Sequence, residues 1–202
     1  MRILVLLVAL LLSGCILGKG NQTARNNFNP AGPWGYYSGP IDTRWDADGR
    51  TMTLLNELHY TDPKGVVWIA PAGSVIDGAS IPRALWSFMG GPFEGRYRNA
   101  SVLHDVAYDQ KSRPPAETDR MFYNAMRCSG VGVVEAKTMY YALFRHGHHW
   151  RAPRIFAGAK AQSENNVPRA APVEEGELAA AKSWIENANP SLAQIEARAG
   201  QR

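Results

Sequence analysis

His104, Asp105 and Tyr108 fall within five consecutive positions of Leu103-His104-Asp105-Val106-Ala107-Tyr108, and Asp119 follows eleven residues after the tyrosine. On a helix, His104 and Tyr108 share a face at i, i+4, while Asp105 points about 100° away. Asp119 lies past a short connection on what reads as the next, antiparallel helix, so its carboxylate can meet the imidazole across the helix pair. An imidazole held by a carboxylate is an oriented general base near neutral pH. Asp105, left over, could help bind a cation, with Asp77 of Ile76-Asp77-Gly78-Ala79-Ser80-Ile81-Pro82 nearby. A plainer reading of the same residues stays open. His104 and Asp119 could form a buried structural hydrogen bond, with Asp105 solvated or paired to Arg98 or Arg120. Tyr108 could be a core residue with its hydroxyl satisfied. Asp77 could cap a turn, with Ser80 as N-cap of a helix starting at Ile81-Pro82.

Around these groups three helices are expected, over 97–110, 115–128 and 133–146. In the second, Met121, Phe122, Ala125 and Met126 make one apolar face, and in the third Met139, Tyr140 and Leu143 do the same. Pro114-Pro115 suits a helix start and Gly130 a stop. Before them, a strand opens at Thr51-Met52-Thr53-Leu54 and continues to Tyr60. Thr61-Asp62-Pro63-Lys64-Gly65 supplies turn residues, and Val66-Val67-Trp68-Ile69 runs back, which makes a hairpin. A short helix is expected near Arg83–Phe88, broken by Gly90-Gly91-Pro92. Strands first and helices after give the α+β class, a small antiparallel sheet or hairpin followed by about three helices.

The N-terminus concerns address. Met1 and Arg2 precede an unbroken apolar run from Ile3 to Leu12, a signal-peptide core too short to span a bilayer comfortably. It closes with Leu12-Ser13-Gly14-Cys15, which resembles the bacterial lipobox. That resemblance implies removal of residues 1–14 and lipidation of Cys15, with acyl chains contributing about 0.8 kcal/mol per buried methylene. No Asp follows Cys15, which by resemblance to Gram-negative lipoproteins implies the periplasmic face of the outer membrane. Residues 15–33 read as a lipidated tether, 34–153 as the globular domain, and 154–202 as a loosely ordered or partly helical tail in which Glu175–Asn187 could form an amphipathic helix. After lipidation only Cys128 remains a free thiol, so no intrachain disulfide can form. Loss of Arg2 takes the formal charge from +4 to +3, a mild basic excess. With no Lys/Arg-rich run and a secretion signal, nucleic acid is excluded as a partner. The expected partners are a membrane, through the lipid, and a lipid or cell-envelope ligand.

Two further clusters admit two readings each. His146-Gly147-His148-His149 suggests zinc or copper, yet histidines at a helix C-terminus also complement its dipole in solvent. Trp34, Tyr36, Tyr37 and Trp45 could form a membrane- or sugar-facing patch, or be the first strands' contribution to the core.

His104-Asp105-x-x-Tyr108 with Asp119 resembles the active-site helices of secreted phospholipases of the A2 class, and the short form in parvovirus capsid proteins is the closest in layout. The resemblance implies that His104 deprotonates a water, that Asp119 orients His104, and that Asp105 holds Ca²⁺ with backbone carbonyls of a glycine-rich loop. Gly90-Gly91 and Gly95 could supply that loop, although the family's Tyr-Gly-x-Gly signature and its disulfides are absent. A second resemblance covers about residues 38–147. Asp77-Gly78-Ala79-Ser80-Ile81-Pro82, His104-Asp105-x-x-Tyr108, Asp119-Arg120-x-Phe122-x-x-Ala125-Met126 and Gly130 together are similar to domain of unknown function family 1353 of phages and bacteria. It implies a domain without an activity. Two classes of function therefore stand: metal-assisted hydrolysis of an ester of the phospholipid type, with His104 as base, or a non-catalytic envelope or prophage-derived module. Exclusion of other phages is a third role that such an address permits.

Overall fold

Asp62 organises the hairpin that the turn residues foretell. Its carboxylate accepts from the Lys64 and Val66 amides, and Gly65 completes the turn at φ +79°, a left-handed conformation that favours glycine. The flanking strands, β4 (Leu58–Thr61) and β5 (Val67–Ala70), then pair antiparallel with Tyr60 opposite Trp68 and Leu58 opposite Ala70. That register puts all four of these side chains on the buried face, as the two-residue period of a strand requires. β1 (Tyr36–Tyr37) joins the other edge of β4, so this sheet has the order β1-β4-β5. A second antiparallel sheet, of order β2-β3-β6, is built from β2 (Thr43–Trp45), β3 (Met52–Leu54) and β6 (Val75–Ile76).

The computed structural model describes residues 32–78, 80–81, 85–86, 90–91, 93–150 and 175–201. The expected signal segment 1–14, the lipidated Cys15, the tether up to residue 31, and most of the short helix near 83–88 lie outside them. Within that helix, Leu85 and Trp86 are helical.

One strand from 51 to 60 is not what forms. Met52, Leu54, Leu58 and Tyr60 are buried, but the same period would drive Asn56 into the core. The chain bends out instead. Leu55 N–H donates to the Asp42 carbonyl and Asn56 Nδ2 to the Asp42 carboxylate, and the two halves enter different sheets. A polar amide in an apolar layer costs more than a broken strand.

The helices follow their apolar faces: α1 (Arg98–Gln110), α2 (Pro115–Cys128) and α3 (Val133–His146). Pro115 opens α2, and Gly130, at φ +80°, ends it while the Val131 amide caps back to the Met126 carbonyl. α2 packs between α1 and α3, and α1 also lies on β5 and β6. With sheet on one side and α2 on the other, α1 is buried from Ala100 to Tyr108 without interruption. Two more helices, α4 (Glu175–Ala188) and α5 (Leu192–Ala199), pack on α3. α4 lies where 175–187 suggested an amphipathic helix, α5 follows it, and both are anchored: Leu178, Ala181, Ile185, Ile195 and Ala199 all enter the main core. The result is an α+β fold with two small antiparallel sheets and five helices among the described residues. None of these helices is long and apolar enough to cross a membrane.

The aromatic residues near the N-terminus divide. Trp34 packs edge-on against Tyr123, and the Tyr37 hydroxyl donates to the Ala125 carbonyl, whereas Tyr36 and Trp45 are exposed.

Candidate active site

Three segments converge at one buried point: the loop after β6, the middle of α1, and the N-terminal half of α2. Gly78, at φ +70°, takes the left-handed turn there and directs its N–H to Asp105 Oδ2 at 2.6 Å. Ser80 N–H lies 3.3 Å from Asp105 Oδ1, and the Ser80 hydroxyl is bonded to that same oxygen. The hydroxyl also meets His104 Nδ1 at 2.9 Å. On the far side of the ring, His104 Nε2 lies 3.0 Å from Asp119 Oδ1, which also accepts from the Tyr108 hydroxyl at 2.6 Å. Five side chains thus form one chain, Asp105–Ser80–His104–Asp119–Tyr108. The imidazole is held between the rings of Tyr108 and Phe122, with centroids 4.1 and 4.7 Å away.

Burial is nearly complete. His104 and Asp119 are 0% exposed, Asp105 5%, Tyr108 7% and Ser80 9%. Trp150, beyond α3, covers Tyr108 edge-on. Gly147 makes that close approach possible, since a Cβ there would stand 2.8 Å from the Tyr108 hydroxyl oxygen.

Donors and acceptors fix most of the protons. Burial, and then Asp119, push the Tyr108 phenol well above its ordinary value, so it is a donor and not a base. Asp119 Oδ1 is therefore an acceptor twice over, and Nε2 carries a hydrogen. Nδ1 is left as the ring nitrogen that can gain or lose a proton, and it faces Ser80. Burial raises the Asp105 carboxyl, against the hydrogen bonds from Ser80 and Gly78 and the His104 charge, while Asp77 pushes it further up. Two arrangements with the same number of protons satisfy the chain. In one, Asp105 is protonated and donates to Ser80, whose hydroxyl donates to a neutral His104. In the other, Ser80 donates to an ionised Asp105 and accepts from an imidazolium. Asp119 Oδ2 is buried with no hydrogen-bond partner among the described residues, so all the hydrogen bonding of this carboxylate runs through Oδ1.

The expected pairing of His104 with Asp119, and of Tyr108 on the same face, is what the geometry contains. Other expectations change. Asp105 is neither solvated nor paired to Arg98 or Arg120, because α1 is covered on that flank by the loop. Arg98 donates to the Phe93 carbonyl and Arg120 pairs with Glu196. The loop facing Asp105 is 77–80 and not the 90–95 glycines, whose Gly90 and Gly91 carbonyls accept from Tyr97 instead. Ser80 bonds the imidazole and Asp105, and the start of the helix it was expected to cap, residues 82–84, lies outside the described residues. The signal for Ser80 was the short Asp77-Gly78-Ala79-Ser80 turn, but nothing in a separation of 24 residues ties it to His104. Asp77 itself is exposed, and its charge adds to the upward push that burial gives Asp105 and Asp109.

Calcium does not fit this arrangement. Oδ2 accepts from Gly78 N–H, and Oδ1 is occupied by the N–H and the hydroxyl of Ser80, so neither Asp105 oxygen is open to the oxygen-rich shell a hard cation needs. Among the described residues no three His, Cys, Asp or Glu side chains are grouped to hold a metal. The histidine run diverges likewise. His148 and His149 are exposed, whereas His146 is buried with Nε2 3.3 Å from Glu177 of α4. Cys128 is half-buried with its thiol donating to the Gly35 carbonyl at 3.3 Å, and burial pushes that thiol up.

Residues 52–143 match the family model described as "Protein of unknown function (DUF1353)". Two curated proteins of Sinorhizobium fredii (strain NBRC 101917 / NGR234) are similar to this chain. Uncharacterized protein y4jT is 45% identical over 116 residues, 57% of this chain and 34% of its own length. Uncharacterized protein y4iH is 37% identical over 112 residues, 55% of this chain and 46% of its own length. The chain thus spans between a third and a half of these relatives. No solved structure matches.

Proposed function

We propose, from the match of residues 52–143 to the DUF1353 family model, that the domain containing them is an acyl-ester hydrolase with His104 as its general base. The observation that carries the reading is the imidazole held at Nε2 by the buried Asp119, with Nδ1 turned to a hydroxyl. An oriented base whose second nitrogen meets an O–H is the arrangement that nucleophile activation needs. Asp119 fixes the tautomer and offsets the charge that His104 gains, and Tyr108 holds Asp119. The substrate class follows from the proposed address. We place the domain on a lipidated Cys15 at the periplasmic face of the outer membrane, where acyl esters of envelope lipids surround it. The support for that address is the order of Leu12-Ser13-Gly14-Cys15 after an apolar run.

Complete burial of His104 and Asp119 supports a second reading, in which the network braces loop, α1 and α2 as part of a non-catalytic envelope module. Buried polar groups of this kind fix packing without doing chemistry.

The test uses residues 16–202, free of lipid, with phosphatidylethanolamine/phosphatidylglycerol vesicles and with p-nitrophenyl butyrate, in calcium and in EDTA. Fatty acid release in both media is expected. Asp119→Asn keeps the shape but misplaces the imidazole hydrogen, so turnover should fall about 10³–10⁴-fold while the circular dichroism melt persists. No release from the folded chain leaves the brace. In the full chain, intact mass should show residues 1–14 gone and acyl chains on Cys15, and Cys15→Ser should abolish both.

A further inference from the structure

We infer that Ser80 is the nucleophile of this site and carries the acyl group as an ester; the inference rests on the hydrolase reading and extends it. Asp119 and Tyr108 occupy the Nε2 side of His104, so Nδ1 is the nitrogen through which a proton can be taken. What stands on Nδ1, at 2.9 Å, is Ser80 Oγ. A water activated there would first have to displace that hydroxyl. Exposure points the same way: the base and its carboxylate have no surface at all, whereas Ser80, at 9%, is the most exposed member of the chain. With the imidazole wholly buried, Ser80 is the member of the chain nearest to solvent. Asp105 decides where the hydroxyl hydrogen points. When Asp105 is protonated, the form toward which burial shifts it, it donates to Oγ and leaves the hydroxyl hydrogen directed at Nδ1.

The step balances with these groups alone. Oγ forms a bond to the acyl carbon, and its proton passes to Nδ1. The bond from that carbon to the leaving alkoxide breaks, and the alkoxide takes the proton from Nδ1. Water then adds to the acyl carbon, gives its proton to Nδ1, and the carboxylic acid departs as Oγ recovers that proton.

A fluorophosphonate probe on the wild-type protein, with the labelled peptide mapped by mass spectrometry, tests this without any variant. Label on Ser80, together with a burst of nitrophenolate from p-nitrophenyl butyrate stoichiometric with protein, is the expected result. Ser80→Ala, checked by its melt to be folded, should lose the label, the burst and turnover, the last by about 10³-fold or more. Turnover within tenfold of wild type in that variant, or wild-type hydrolysis without label on Ser80, overturns the serine while leaving His104 as base toward water. A folded wild type that neither hydrolyses nor labels overturns the hydrolase reading, and this inference falls with it.

Discussion

Asp105 shows how burial and hydrogen bonding divide a single carboxyl's behaviour. Its protonated form suits the site: one oxygen accepts from Gly78 N–H while the other, carrying the proton, donates to Ser80. Asparagine reproduces most of that pattern, carbonyl to Gly78 and amide to the Ser80 hydroxyl, and gives up only the long contact from Ser80 N–H, so Asp105→Asn should fold. The sign of the pH effect follows from the raised pKa. The folded chain holds this proton more tightly than the unfolded one, so its contribution is complete below the ordinary value of 3.8 and fades as pH climbs through the raised one. Urea midpoints of the variant and wild type should therefore draw together toward pH 4, and the variant should gain relative to wild type as pH rises. A difference that stays flat across that range would show that Asp105 titrates alike folded and unfolded. At this scale the His104–Asp119–Tyr108 part of the site was legible, because i, i+4 spacing and a short helix connection determine which side chains meet. Ser80 was not, since a contact across 24 residues depends on how a loop folds over α1 and leaves no periodic trace.

Helices were legible as elements because their apolar residues recur at a helical period over thirteen or fourteen positions. Strands of two to four residues carry too few positions for a two-residue period to expose a break, which is why the bend at Asn56 was hidden. The junction of α3 and α4 was equally hidden, since it is made by one acidic residue far along the chain. Burial raises the Glu177 carboxyl, but the Tyr141 hydroxyl, His146 and Arg145 together outweigh that and hold it below its usual range. Tyr141 donates to Oε1 at 2.8 Å and Arg145 pairs with the same oxygen. Such a depressed acid stabilises above its ordinary value of 4.5, and that stabilisation is lost as pH falls through the folded pKa. Glu177→Gln should cost about 1–2 kcal/mol near neutral pH by thermal or chemical unfolding. The cost should vanish under acid conditions, where the wild-type carboxyl is also neutral. An equal deficit at both pH values would assign the effect to the hydrogen bonding of the isosteric amide and not to charge.

The segment that matches the family, residues 52–143, is shorter than the body into which it folds. It omits β1 and β2, which pair with β4 and β3, and it omits α4 and α5, which pack on α3. The composition of 154–202 pointed to a tail because its large apolar residues are few. Those few, however, fall on one side of each helix, and Leu178, Ile185 and Ile195 are all but fully buried. Removing a large aliphatic side chain from its buried place forfeits about 1.5–3 kcal/mol, so losing these three forfeits about 5–9 kcal/mol. That is comparable with the whole stability of an ordinary domain, about 5–15 kcal/mol. It would also leave the α3 face open to solvent, with Tyr140 and Tyr141 stripped of Glu196 and Glu177 as their partners. A chain ending at Trp150 should therefore be unfolded or aggregated by circular dichroism and size exclusion, although it keeps every residue of the His104 site. Adding residues 175–202 in trans should recover part of the helical signal and, with it, whatever activity the full chain has. A shortened chain that melts cooperatively at the temperature of the full one would show instead that α4 and α5 are dispensable, and that the core closes on α3 without them.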